Sequence, residues 1–223
     1  MRRIVAVAHS KGGVGKSNIT RNIALSESER GKKVLVVDCD QQKTVETFFS
    51  DRAERLEKNE LVCISKTYSK GLAREIKSIA ASYDTIVIDV GGARDSDVMR
   101  QVLLCADAAI VPTSPSQEDL DSFDLFMTVV DEVRGINEAL RVFLFLNKAP
   151  SDTFDSSAKA AIAGLQQKYE RDIVVCRSII KHRKAWLKCG YNADAIWEVD
   201  GKYSKAAKEF AVLMSELRSK EVL

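Results

Sequence analysis

The residues best suited to chemistry stand in one run, Ser10-Lys11-Gly12-Gly13-Val14-Gly15-Lys16-Ser17. Glycines let a backbone curl until successive N–H groups point at phosphate oxygens, and a helix that opens after such a run adds positive potential. Lys16 is placed to reach the β- and γ-phosphates of a nucleotide, and the Ser17 hydroxyl is a ligand for Mg²⁺. The ordinary spacing G-x-x-x-x-G-K-[ST] has a glycine where this chain has Ser10, and the chain offers a second lysine instead, Lys11 before Gly12. Two acids, Asp38 and Asp40, follow the apolar run from Val34 and project to one side of an extended chain. A third, Asp89, closes the run Thr85-Ile86-Val87-Ile88. Mg²⁺ takes oxygen ligands and keeps several waters, so carboxylates near Ser17 suit it. Asp89 then supports the metal and Asp40 flanks it, as carboxylates do in phosphoryl transfer.

These groups are far apart in sequence and need a frame. Apolar runs at Ile4–Ala8, Val34–Asp38, Leu61–Ser65, Thr85–Asp89, Ala108–Pro112, Val142–Asn147 and Ile173–Cys176 read as strands. Several are continuous Val/Ile/Leu, which suits a parallel sheet buried on both faces. Helical patterns lie between them at Gly15–Arg30, Thr44–Lys58, Gly71–Ser82, Ser96–Cys105, Glu118–Arg134 and Ser156–Tyr169, and Tyr203–Lys220 follows the last strand. The alternation predicts right-handed βαβ crossovers and one doubly wound α/β/α sandwich over residues 1–223, with a mostly parallel sheet. Such sheets bind ligands at the carboxyl ends of their strands. His9–Ser17, Asp38–Lys43, Asp89–Arg94, Pro112–Asp119 and Asn147–Pro150 all fall at those ends.

Composition narrows the class further. The chain has 223 residues, 45% hydrophobic and 30% charged, which marks an ordinary globular protein. A net charge of +2 is too mild to imply a nucleic-acid partner by itself, so any such contact needs a local patch. No apolar run is long enough to span a bilayer, and Met1-Arg2-Arg3 leads into a strand rather than a signal peptide. Five scattered cysteines, Cys39, Cys63, Cys105, Cys176 and Cys189, lack the spacing of a zinc or iron–sulfur site and read as reduced core thiols of a cytoplasmic protein. His9 and His182 have no sequence neighbour that suggests a triad or metal site, and neither is given a catalytic role.

The run K-G-G-x-G-K-[ST] at Lys11–Ser17 resembles the deviant Walker A motif of the ParA/MinD superfamily, deviant P-loop NTPases. Val111-Pro112-Thr113-Ser114-Pro115-Ser116 resembles the V-P-x-x-P-S loop of ParA proteins, and the likeness spans roughly residues 2 to 150. The resemblance implies that Lys11, Gly12, Gly13, Val14, Gly15, Lys16, Ser17 and Asn18 hold ATP or ADP, and that Lys11 crosses a dimer interface to the partner's nucleotide. Asp38-Cys39-Asp40-Gln41-Gln42 resembles the family's D-x-D-P-Q segment, which makes Asp40 the residue that positions the attacking water and the metal, catalytic together with Lys11 and Lys16. Here the proline is replaced, which predicts a less rigid loop. Val90-Gly91-Gly92 occupies the place of a switch that senses the γ-phosphate, or else is a plain tight turn. Asn147 either hydrogen-bonds an adenine edge or simply ends a strand.

Arg177 to Lys188 carries Lys181, Arg183, Lys184 and Lys188 among apolar residues, and Lys202, Lys205, Lys208, Arg218 and Lys220 follow. Such clusters serve either as a footprint for DNA backbone or as solvated faces. The stripe Phe210, Leu213, Met214, Leu217 has helical spacing and suits core packing better than a membrane helix of the MinD sort. Taken together, the resemblance implies a Mg²⁺-dependent ATPase of the small plasmid ParA type, cytoplasmic and nucleoid-associated, without membrane contact. It would form an ATP-dependent homodimer, bind DNA non-specifically in that state and answer to a ParB-like centromere-binding protein. The alternative is a MinD-like or other cargo-positioning ATPase acting on a membrane or a protein assembly.

Overall fold

A computed structural model describes residues 2–58, 61–92, 96–150, 156–169 and 172–223. Its strands are β1 (Arg3–Val7), β2 (Val34–Asp38), β3 (Val62–Ser65), β4 (Thr85–Asp89), β5 (Ala108–Thr113), β6 (Arg141–Ala149) and β7 (Val174–Lys181). Between and after them come α1 (Lys16–Glu29), α2 (Thr44–Leu56), α3 (Leu72–Ile79), α4 (Ser96–Cys105), α5 (Gln117–Arg134), α6 (Ser156–Lys168), α7 (Lys184–Asn192), α8 (Ile196–Val199) and α9 (Lys205–Ser219). The strands form one sheet in the order β3-β2-β4-β1-β5-β6-β7, with every described pairing parallel.

Alternate residues of each strand enter alternate cores, as a period of two requires. Ile4, Ala6, Leu35, Val37, Ile86 and Ile88 pack under α3, α4 and α5. Val5, Val7, Val34, Val36 and Val87 pack under α1, α2 and the C-terminal helices. Two layers of helix on one sheet are the consequence, and they explain why β1, β2 and β4 are apolar apart from their end residues. Asp38 and Asp89 share the parity of Val36 and Val87 and are register partners, so the two acids sit side by side on the α1 face. β1 lies near the middle of the sheet, with β2 and β3 wound to one side and β5 to β7 to the other. The crevice above its carboxyl end is where such sheets bind ligands.

Two features depart from the expectation. β7 runs on to Lys181 instead of stopping at Cys176, because Glu216 of α9 accepts the Arg177 and Ser178 N–H groups at 2.9 Å each. Glu209 takes the Lys181 N–H at 3.2 Å, so carboxylates from α9 occupy the strand's outer edge. The residues that follow, read only as a basic cluster, form α7 and α8, which bury Ala185, Cys189 and Ile196 beneath the sheet. The stripe Phe210, Leu213, Met214 and Leu217 is buried in the same core, so α9 packs inward. Arg218 of α9 reaches the fully buried Glu27 of α1 at 2.7 Å, and removal of one partner from such a pair costs about 3–5 kcal/mol. Among the described residues no disulfide joins the cysteines, and burial pushes the thiols of Cys63, Cys105, Cys176 and Cys189 up to about 12, which makes them poor nucleophiles.

Candidate functional site

The phosphate loop spans the gap from β1 to α1. Gly13 and Gly15 have φ of +77° and +99°, a left-handed backbone that curls the chain at little cost only for glycine. At Gly15 a Cβ would also collide with the Asn147 side-chain amide, so any larger residue would displace Asn147. Gly15 is the N-cap of α1 and offers no side-chain acceptor, which leaves the first amides of the helix to an incoming anion. A Cβ at Gly12 or Gly13 would meet no atom within 4 Å, so the outer side of the loop is open.

Around this loop the structure gathers side chains from α1 and α2 and from the carboxyl ends of β2, β4 and β6. Lys16 is 6% exposed and its ammonium donates to the Lys11 carbonyl at 2.8 Å. Burial pulls it below the ordinary lysine value, opposed by the charges of Asp89 and Asp40. Ser17 Oγ donates to Asp89 Oδ2 at 2.8 Å, and Thr20 Oγ1 donates to Asp89 Oδ1 at 2.7 Å. Asp89 is fully buried, and burial raises its carboxyl to about 7 despite those two hydrogen bonds. A buried carboxylate this costly to ionise is a natural partner for a bound cation. Thr44 Oγ1 reaches Ser17 Oγ at 3.3 Å from the start of α2.

The two acids after β2 divide their work. Asp38 is buried and caps α2, with Oδ2 accepting the Val45 and Glu46 N–H groups at 2.9 Å each. Its Oδ1 takes the Asp40 N–H at 3.0 Å. Asp40 is half-buried, accepts the Gln42 N–H at 2.9 Å and acts on Lys16 through its charge. The loop that lacks the expected proline is therefore not slack. Asp38 and Asp40 pin it, and Lys43 N closes the turn on the Asp40 carbonyl at 3.0 Å.

After β4, a Cβ on Gly92 would stand 3.4 Å from the Gly12 amide nitrogen, so this glycine allows a close approach to the phosphate loop rather than merely making a turn. Arg94, at the end of that segment, lies outside the described residues. Asn147 falls inside β6, not at its end, and donates from Nδ2 to the Val14 carbonyl at 2.7 Å. The next residue, Lys148, has φ +56° and donates to the Gly13 carbonyl at 2.5 Å. Asn18 accepts a hydrogen bond from Arg21 and, with Gly15, Asn147, Arg183, Trp186 and Leu187, lines a small pocket beside the loop.

Lys11 points away from this cradle. Its ammonium meets Asp119 at 2.5 Å and Glu118 at 3.1 Å, in the first turn of α5. The hydrogen bond to Asp119 raises the lysine above its usual value. For Asp119, burial works upward, but the bonds from Lys11 and Ser114 win and hold it below the carboxylate range. Ser116 caps α5 by accepting the Asp119 N–H, which accounts for the Pro112–Asp119 loop in structural terms.

The basic segment is changed most by the structure. Arg183 is not a free cation, since Glu209 accepts from its Nε at 3.0 Å and from its Nη2 at 2.5 Å. Lys188 pairs with Asp200 at 3.3 Å, and Lys181 lines the pocket beside the loop. Lys184, Lys205 and Lys208 stay exposed, and the Arg183–Glu209 pair brings α7 and α9 together between them.

For magnesium nucleotide the donor set fits: an open glycine cradle, a buried lysine, a hydroxyl and two acids of which one is buried and costly to ionise. Mg²⁺ needs only one or two protein ligands besides phosphate and water, so no closed metal cage is required. Sequence spacing missed Thr20, Thr44 and Lys148. Thr20 carries a usable signal, because it lies three residues after Ser17 on the same helical face.

Comparison with known proteins agrees with this geometry. Residues 5–188 match the model of the CobQ/CobB/MinD/ParA nucleotide binding domain. A relative named maintenance of carboxysome distribution protein A, from Halothiobacillus neapolitanus, is 22% identical and covers 96% of this chain and 95% of its own length. A Borrelia burgdorferi protein described as a plasmid partition protein and solved with AMPPNP has a TM-score of 0.73, at 21% identity over 99% of this chain and 100% of that one. A cobyrinic acid a,c-diamide synthase from Mycobacterium smegmatis, solved with ADP and magnesium, has a TM-score of 0.68 at 20% identity over 89% and 92%. At those identities the solved structures speak for the fold.

Proposed function

The chain belongs to the CobQ/CobB/MinD/ParA nucleotide-binding family, and from that premise we propose that it is a Mg²⁺-dependent ATPase, switched between monomer and dimer by its nucleotide, that works in DNA partition. The observation that carries this reading is the division of labour between two lysines five residues apart. Lys16 is buried in its own cradle, whereas Lys11 turns its side chain out to α5. The Lys11 ammonium, paired with Glu118 and Asp119 outside its own cradle, would exchange those carboxylates for a second subunit's phosphates.

Bound Mg²⁺ supplies charge neutralisation on the phosphates. Within the chain, Lys16 gives up the Lys11 carbonyl to meet β- and γ-phosphate oxygens, and the N-terminal amides of α1 join it. Ser17 presents its oxygen to the metal while Asp89, braced by Thr20, orients Ser17 from behind. Asp40 is the half-exposed acid beside Lys16 and holds the attacking water. Asn147 fixes the loop by donating to the Val14 carbonyl.

Lys11 is tested by substitution with Gln. ATP affinity in Lys11→Gln is expected to stay within about threefold, while ATP-dependent dimers vanish from light scattering, because the charge-assisted contact it loses lies across the interface. Dimers that persist would reduce Lys11 to a local contact with α5.

Duplex binding draws support from the exposed lysines of α7 and α9, not from Arg183. Lys184→Glu with Lys208→Glu is expected to remove ATP-dependent binding to unrelated duplexes and leave nucleotide affinity intact. Wild-type binding should fall steeply between two salt concentrations, in proportion to the phosphates neutralised. Equal binding by wild type and double variant would clear these lysines. No binding by wild type in any nucleotide state would favour the second reading, positioning of a protein assembly, which the full-length match to proteins that maintain carboxysome distribution supports. Among the described residues no helix is long and apolar enough to cross a membrane, and the apolar stripe of α9 is buried in the core.

A further inference from the structure

Under the phosphate loop lies an imidazole that the chemistry above does not use. His9 follows β1, is 0% exposed, and its Nδ1 accepts the Lys11 N–H at 2.9 Å. A ring nitrogen that accepts is unprotonated, so the proton of this neutral ring is on Nε2. Nε2 is buried without a hydrogen-bond partner among the described residues. The ring stacks on Phe126 with 6.4 Å between centroids and 16° between planes, and tilts by 45° against Phe123 at the same distance. Both phenylalanines belong to α5. The same helix takes the next two residues, since Ser10 Oγ donates to the Ser122 carbonyl and Lys11 pairs with Glu118 and Asp119.

A side-chain acceptor that binds the amide two residues on fixes the intervening backbone, as in an Asx-turn. Here it occupies the Lys11 N–H, which takes that amide out of the set that can meet phosphate. With the peptide so held, the side chain of Lys11 leaves toward α5, where its ammonium meets Glu118 and Asp119. Alignment of the ring is secured by the two phenylalanines, so the acceptor cannot rotate away.

We propose that His9 is a positioning residue, whose Nδ1 fixes the Lys11 peptide so that the Lys11 ammonium is delivered outside its own cradle, toward the nucleotide of a second copy of this chain. The proposal rests on the phosphate-loop reading. Burial, with the charges of Lys16 and Lys11 and against that of Asp119, lowers the imidazole to about 4, so the acceptor persists across the neutral range.

Two variants separate the acceptor from the bulk of the ring. His9→Asn places an amide oxygen where Nδ1 stands, and His9→Leu fills space without an acceptor. Hydrogen exchange on the nucleotide-free chain is the first measurement. The Lys11 amide should be protected in wild type and His9→Asn, and exchange about tenfold faster in His9→Leu, the size of one lost hydrogen bond. Amides of β2 protected in all three proteins report an intact fold. In ATP turnover, His9→Leu should lose about tenfold in kcat with KM within about threefold, whereas His9→Asn recovers most of kcat. Equal exchange at Lys11 in all three, or an Asn variant as impaired as Leu, would overturn the role. A wild type that fails to bind ATP would defeat the phosphate-loop reading instead, while the exchange data still decide for or against His9.

Discussion

Lys16→Ala is expected to lower nucleotide affinity about 100-fold or more, to the point where calorimetry detects no binding. Lys16 is 6% exposed and its ammonium is held within the loop by the Lys11 carbonyl, so it is preset beside the open glycine cradle. Charge-assisted hydrogen bonds to phosphate are worth about 1.5–3 kcal/mol each, and two of them correspond to a loss of at least 100-fold. The fold should survive, because the folded chain gains little from a buried cation whose main partner is one carbonyl. The melting temperature without nucleotide is then near that of wild type. Unchanged ATP affinity would undo the phosphate-loop assignment as a whole.

Asp40→Ala should retain ATP and lose hydrolysis by about 100-fold or more, the usual range for a residue that positions or deprotonates the nucleophile. The three acids near the loop are not equivalent. Asp38 is committed to the N-terminus of α2, and Asp89 is committed to Ser17 and Thr20, both of them fully buried. Asp40 alone among them is half-exposed, so water can reach it. With hydrolysis blocked and binding kept, the variant should accumulate as an ATP-bound dimer, visible as a doubled mass in light scattering. Wild-type turnover in single-cycle assays would assign the water to another group, with Asp89 next to test.

How much of the site could be read without coordinates depended on where each contact lies along the chain. Lys16, Ser17 and the glycines belong to one continuous segment, whose spacing carries the geometry. The place of Asp38 and Asp40 at the end of β2 is also legible, and the role of Asp40 came from the resemblance to the D-x-D-P-Q segment, whereas the structure shows Asp38 spent on the N-terminus of α2. Thr20 and Thr44 were missed because hydroxyls are common on helices, and only the packing of α1 and α2 on the sheet brings Thr20 to Asp89 and Thr44 to Ser17. His9 was passed over for the same reason: its partners Phe123 and Phe126 are more than a hundred residues away.

The basic segment shows the opposite failure. A run of cations is legible as charge, but its availability is a tertiary property, and Glu209 and Glu216 on a distant helix decide it. Glu209 neutralises Arg183, and both acids fasten α9 along the edge of β7. The same contacts carry β7 five residues past Cys176, where a charged residue reads as a strand's end.

The sequence by itself determined the alternation of strand and helix, the parallel sheet and the phosphate loop, because period and local spacing are written in neighbouring residues. Only the tertiary structure decided which of the acids are spent on the fold, which lysines remain free, and that Lys11 turns outward. Those outcomes depend on pairings across the sheet and between helices, where burial sets the cost of leaving a charge or a donor without a partner.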